Sequence, residues 1–216
     1  ASVRVNNERS ATARKRAAEL DELITDENVD AVICTAGGDF MLEMMPYVNF
    51  EHIAENPKWI AGMSDPTNLL FTVTTKLDIA TLYGSNGAGF TFKRSRPQET
   101  FLRYLEGDIV RQHSYNRYQT FFDMINENKV YQSVFWQAKK EKLQIKGRLI
   151  GGCIECIEKL IGTDFDHTNA FIDRYKEDGI VWYFDIFNMS SYNFYLTLLQ
   201  FKNAGWFRNC KGVLIG

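Results

Sequence analysis

Lys58-Trp59-Ile60-Ala61-Gly62-Met63-Ser64-Asp65-Pro66-Thr67 is the stretch of sequence that decides the fold. Residues 58–63 are a short, mostly apolar run, the pattern of a strand buried in a parallel sheet. Pro66 can occupy the first turn of a helix, where no N–H is needed, so residues 66–76 read as helix. A strand that passes straight into a helix leaves Ser64 on the tight turn between them.

The same alternation extends upstream and downstream. Residues 9–24 predict an amphipathic helix, with Ala18, Leu20, Leu23 and Ile24 near one face and Arg14, Lys15 and Glu22 elsewhere. A polar turn at 26–28 ends it. Residues 31–35 form a second apolar run and residues 79–83 a third. Between the first two lie a helical stretch ending near Met45 and a short helix over 50–56, stopped by Pro57. The βαβα order predicts an α/β domain on a parallel sheet. From residue 84 the character changes. Residues 84–97 are rich in Gly, Ser, Asn and Arg, and residues 98–146 carry many aromatics without clean periodicity, reading as a connection with some helix. Order returns with a strand over 143–150, Gly151-Gly152, a helix over 153–161, a helix over 168–177, a strand over 179–187, a helix over 190–204 and a strand from Val213. The expected organisation is therefore an N-terminal domain at 1–90, a connecting region at 91–145 and a C-terminal domain at 146–216.

Composition narrows the function classes. The 216 residues are 45% hydrophobic and 24% charged, with a net charge of -2, ordinary for a soluble globular protein. No concentrated basic face points to nucleic acid, and Arg14-Lys15-Arg16 reads as the solvated side of a helix. No stretch reaches the roughly 18 apolar residues of a membrane span, and no signal peptide is visible. Four cysteines in a chain of this length are no disulfide framework, so a cytoplasmic setting is the default. No cofactor and no metal are expected.

Four places could carry chemistry. A serine on a strand-to-helix turn has the amides of the new helix aimed near it, which suits a nucleophile whose oxyanion is held by backbone N–H groups; the same serine also reads as an N-cap or a plain turn. Thr35-Ala36-Gly37-Gly38-Asp39 lies at the C-terminal end of a strand, where open α/β sheets bind ligands, or is simply the turn to the next helix. Cys153 and Cys156 form one C-x-x-C; zinc would need two more ligands, so buried structural cysteines are the plainer reading. Asp185 lies inside the apolar run Val181-Trp182-Tyr183-Phe184-Asp185-Ile186-Phe187. A carboxylate there needs a partner and hints at function, unless it caps the following turn. His52, His113 and His167 lie beside no recognisable partner motif, although a serine nucleophile needs a base.

Taken in order, these segments resemble one family. The run 31–40 with Gly37-Gly38, the run 56–67 with Ser64-Asp65, Thr74-Thr75, residues 78–84, Gly147 to Gly152, Gly162-Thr163, residues 178–182 and Ala204-Gly205-Trp206-Phe207 are similar to the landmarks of the S66 serine peptidases. These comprise the LD-carboxypeptidases and the microcin C immunity proteins, and the nucleophile turn is nearer the immunity branch. The resemblance implies a Rossmann- or flavodoxin-like α/β domain followed by a smaller, strand-rich C-terminal domain, and a cytoplasmic homodimer. It also implies a Ser–His–Glu triad and an oxyanion hole. Ser64 takes the nucleophile's place, and the amides of Gly38 and Asp65 would receive the oxyanion. Gly37, Asp39, Cys153 and Trp136 would contact substrate, with Trp136 and Phe135 as a platform for adenine or, alternatively, packed at the domain interface.

Three departures stand out. Asp185 occupies the place of the family's glutamate, one methylene shorter, with Glu155 as a fallback. Cys153 stands where some members have a substrate-binding asparagine. The family's histidine follows the strand that begins at Val213, so it is expected beyond Gly216, and the family's first strand upstream of residue 1. The implied activity is hydrolysis of an amide through an acyl-enzyme on Ser64. The substrate would be the L,D bond of a muropeptide, or the bond joining a peptide or amino acid to a nucleotide-like group. The alternative is a catalytically inactive homologue that binds peptide or nucleotide.

Overall fold

A computed structural model of the chain describes residues 9–90, 95–120, 123, 126, 129–138 and 143–216. The first half is a three-stranded parallel sheet in the order β1-β2-β3, made of β1 (Ala31–Ile33), β2 (Trp59–Gly62) and β3 (Leu82–Tyr83). Ala31 lies opposite Trp59 and Ile33 opposite Ala61, and Ala61 and Gly62 pair with Leu82 and Tyr83. Helix α1 (Ala13–Thr25) covers one side. The Thr12 hydroxyl caps it through the Lys15 N–H, and Ala17, Leu20 and Ile24 are its buried stripe. Short helices α2 (Met41–Met44) and α3 (Phe50–Glu55) follow β1. Asn49 caps α3, accepting from the Glu51 and His52 N–H groups. Helix α4 (Thr67–Leu77) follows β2 and ends at Asp78, whose left-handed φ of 62° turns the chain out of the helix.

The connecting region holds more order than its aromatic composition suggests. Helix α5 (Arg96–Leu105) starts at a capping box: the Ser95 side chain accepts from the backbone at Gln98, and the Gln98 side chain accepts from the Ser95 N–H. Two short strands, β4 (Arg117–Tyr118) and β5 (Gln132–Ser133), pair antiparallel.

The second half is another parallel sheet, ordered β6-β7-β8: β6 (Arg148–Cys153), β7 (Ile180–Asp185) and β8 (Cys210–Ile215). The sequence pattern predicts a strand over 143–150. Instead β6 begins at Arg148 and runs through Gly151-Gly152 to Cys153, each residue paired with β7 as far as Cys153 opposite Asp185. Helices α6 (Ile154–Ile157), α7 (Thr168–Arg174) and α8 (Ser191–Asn203) complete this half. Its core is aromatic, with Trp182 and Trp206 stacked at an interplanar angle of 7° beside Phe71, Phe184 and Phe201.

Helix α4 joins the two halves. Leu69, Leu70 and Val73 lie in the first core, Phe71 in the second, and the Thr72 hydroxyl donates to the Phe165 carbonyl. The helix is buried on nearly every side, Thr67, Asn68, Thr72 and Thr75 included, as a doubly covered position requires.

Candidate functional site

All strands of a parallel sheet end on one edge, and the loops leaving that edge form the natural site. Three loops converge there: 34–40 after β1, 63–66 after β2 and 84–89 after β3. Ser64 sits on the second with a left-handed φ of 68°. Serine enters that region only when its surroundings enforce it, and several contacts do. The Asn86 side chain accepts from the Met63 N–H at 3.0 Å and donates to the Met63 carbonyl at 3.2 Å. The Ser64 N–H donates to the Tyr83 hydroxyl at 3.3 Å, and the Ser64 carbonyl accepts from the Thr67 N–H at 2.8 Å.

The Gly37-Gly38 loop lies against this turn. A Cβ on Gly37 would come within 3.1 Å of Ser64 Cβ and 3.2 Å of its Oγ, so the missing side chain leaves room for the hydroxyl. The next residue, Asp65, holds the loop in place: its Oδ2 accepts from the N–H groups of Phe40 and Met41 at 2.9 and 2.8 Å. Burial raises the Asp65 carboxyl above its ordinary range, against the pull of those two N–H groups, and the nearby charge of Asp39 adds to the rise. Cys34, under the same turn, is pushed up to about 11 by burial and by the Asp65 charge, which makes it an inert thiol.

The second half brings Asp185 to the same place. Its Oδ2 accepts the Tyr83 hydroxyl proton at 2.6 Å, so Tyr83 lies between the carboxylate and the backbone of Ser64. Glu155 is engaged elsewhere. Its Oε1 accepts from the Phe187 and Asn188 N–H groups at 3.0 and 2.9 Å, and its Oε2 from the Cys153 thiol at 3.3 Å. Burial opposes its charge, but the backbone N–H groups and the thiol outweigh burial and hold the carboxyl below the ordinary glutamate range. Cys153 is buried at the end of β6, its N–H donating to the Thr67 hydroxyl at 3.2 Å. All four cysteines are free.

Ser64, Asp65, Gly37, Gly38 and Asp185 thus lie in one neighbourhood, with Cys153 opposite Asp185 in the sheet. Asp39 is exposed on the rim. Phe135 and Trp136 are 82% and 61% exposed, so they are not packed at the domain interface. Among the described residues no hydrogen bond joins a histidine to Ser64 or Asp185. His52 Nδ1 lies 2.8 Å from Asp21, and His113 lines a cavity of about 180 Å³ whose wall includes Tyr83, Arg96 and Arg111. Burial, with the charge of Lys76, lowers His167 below its usual range. Among the described residues no cluster of three or more potential metal ligands forms, and no helix is long and apolar enough to cross a membrane. Sequence reasoning passed over Tyr83 and Asn86. Asn86 lies in a Gly/Ser/Asn stretch that signals a turn, but nothing in the local pattern marks either residue as a partner of Ser64.

Two family descriptions match the chain: the LD-carboxypeptidase N-terminal domain over residues 2–84 and the LD-carboxypeptidase C-terminal domain over residues 146–216. The chain belongs to the S66 peptidase family. Among curated S66 relatives, a carboxypeptidase homologue of Vibrio cholerae is 29% identical over 166 residues, covering 73% of this chain and 49% of its own length. The microcin C7 self-immunity protein MccF of Escherichia coli is 27% identical over 173 residues, with the same coverage. The chain spans about half the length of these relatives. Among solved structures, wild-type apo MccF superimposes with a TM-score of 0.77 at 22% identity, covering 99% of this chain and 65% of that one. The muramoyltetrapeptide carboxypeptidase of Oxalobacter formigenes gives 0.71 at 17% identity, covering 98% and 63%. At such identities these likenesses establish the S66 fold.

Proposed function

We propose that the protein is a serine hydrolase of small amides, with Ser64 as nucleophile, Asp185 as the acid that orients a histidine base, and the N–H groups of Gly38 and Asp65 as the oxyanion hole. The observation that carries this reading is the conformation of Ser64: a strained serine on a strand-to-helix turn, its hydroxyl over a glycine and its backbone clamped from both sides. A plain N-cap needs none of this, since an N-cap residue sits in the β region, whereas a nucleophile elbow needs such a turn.

In this reading Ser64 Oγ attacks the amide carbonyl and the histidine takes its proton. The tetrahedral oxygen then rests against the two amides. Collapse expels the amine with that proton, and water releases the acyl group. We assign the base to the histidine that the S66 resemblance places after the strand beginning at Val213; among the described residues none of His52, His113 or His167 is joined to Ser64 or Asp185 by a hydrogen bond. Two substrate classes fit: the L,D-amide of a muropeptide, and an amino acid or peptide joined to a nucleotide-like group. Solved MccF structures hold aspartyl sulfamoyl adenosine and glutamyl sulfamoyl guanosine, which favours the second class for a site of this type. Phe135 and Trp136 are exposed and free to meet a base.

The test is product analysis by mass spectrometry on the full-length encoded protein, offered a disaccharide tetrapeptide and, separately, an aminoacyl adenylate analogue with a cleavable amide. Cleavage of one of them by wild type and none by Ser64→Ala is expected. Equal turnover by the two proteins removes Ser64 from the mechanism. Saturable binding with no turnover of either substrate marks a binding homologue.

A further inference from the structure

We propose that Tyr83 is a positioning residue of the Ser64 site, a neutral phenol that ties the backbone of the nucleophile to the carboxylate supplied by the other half of the molecule. The inference rests on the hydrolase reading above and deepens it. A phenol has one proton to donate and lone pairs to accept with. Tyr83 uses both: it donates to Asp185 Oδ2 at 2.6 Å and accepts the Ser64 N–H at 3.3 Å. The direction is fixed, because an N–H cannot accept and an ionised carboxylate cannot donate. Burial, the bond to Asp185 and the charge of Asp185 all push ionisation of Tyr83 upward, so the proton stays in place at working pH.

Three further features make this more than a convenient contact. The bond crosses between the halves, from the end of β3 in the first sheet to the end of β7 in the second. The ring is also buttressed, with its centroid 5.8 Å from that of Tyr183, so the hydroxyl is not free to wander. Finally, Tyr83 takes Oδ2 of Asp185, which leaves Oδ1 to receive the N–H of a histidine. A carboxylate that must orient a base is better held by a second donor than left to rotate. On the Ser64 side, the N–H bond holds one end of the peptide leading into the left-handed residue, while Asn86 holds that peptide's carbonyl and the N–H of the peptide before it. Removing the hydroxyl loosens acid and nucleophile together, with the ring still in place.

Tyr83→Phe is therefore the decisive variant, used in the full-length encoded protein. Two readouts are needed, one independent of catalysis. In amide NMR, Asp185→Asn is expected to move the Ser64 N–H resonance in the wild-type background and to leave it unmoved in the Tyr83→Phe background, because the link is gone. An equal shift in both backgrounds, or none in either, overturns the proposal. In kinetics, Tyr83→Phe is expected to lower kcat by about tenfold, the loss of one charge-assisted hydrogen bond, with KM kept. An unchanged kcat also overturns it. If Ser64→Ala turns over substrate like wild type, the hydrolase reading has failed instead, and the NMR comparison still decides the Tyr83 link.

Discussion

Gly152→Ala tests the packing that joins the two halves at the site. Gly152 has a φ of 137°, a region that other residues avoid, at a cost of about 1–3 kcal/mol. A Cβ there would lie 2.5 Å from Thr67 Cγ2 and 3.2 Å from Thr67 Oγ1. Thr67 has no room to retreat. It is fully buried in the first turn of α4, and its hydroxyl accepts the Cys153 N–H. Overpacking of this kind costs about 1–3 kcal/mol more. A total of about 3 kcal/mol corresponds to a fall in Tm of about 6–12 °C for a chain of this size. Differential scanning calorimetry measures it, with Gly89→Ala as the control: a Cβ on Gly89 meets nothing within 4 Å, and that variant should stay within about 0.5 kcal/mol of wild type. A Gly152→Ala melt within about 2 °C of wild type would refute the reasoning, because neither the backbone region nor the Thr67 contact would then constrain the structure.

Two other perturbations probe the site itself. If Ser64 stores strain at its φ of 68°, Ser64→Gly should be more stable than Ser64→Ala by about 1 kcal/mol in urea denaturation; equal stabilities would mean an unstrained turn. Glu155 is held below its ordinary value of 4.5 in the folded protein, so its contribution is complete above that pH and is lost as pH falls through the lower folded value. The stability difference between wild type and Glu155→Gln should accordingly be constant from neutral pH to about 5 and shrink in more acid solution; a difference that grows on acidification contradicts the assignment.

The parallel strands were legible because their apolar runs are short and bounded by turn residues, as in Ala31–Ile33 and Trp59–Gly62. Ser64 was legible as a position, since a strand that runs directly into Pro66 leaves only one place for the turn. What escaped notice was whatever depends on distant partners. β3 is only Leu82–Tyr83, not residues 79–83, because pairing with β2 begins at Ala61 opposite Leu82. Gly151-Gly152 looked like the end of a strand but lies within one, because β7 runs alongside in register to Asp185. The role of Tyr83 depends on Asp185, 102 residues away, and no local pattern carries that. The capping box at Ser95 and Gln98 is different: it was written in the sequence as Ser-x-x-Gln and was hidden by the aromatic clutter that follows it.

Helix α4 has a consequence for how this protein melts and opens. Its residues face two cores at once, so neither half can shed the other without exposing the helix that completes it. Two family domains are recognisable along the chain, yet they share one rib. Melting should then be a single cooperative event, with no stable half-folded species, and hinge-like gaping between the halves would break the rib itself. Access to Ser64 then runs over the sheet edge, past the loops 34–40 and 84–89 that are tied to each other by the Gly87 and Ala88 N–H groups, while the helix beneath stays rigid.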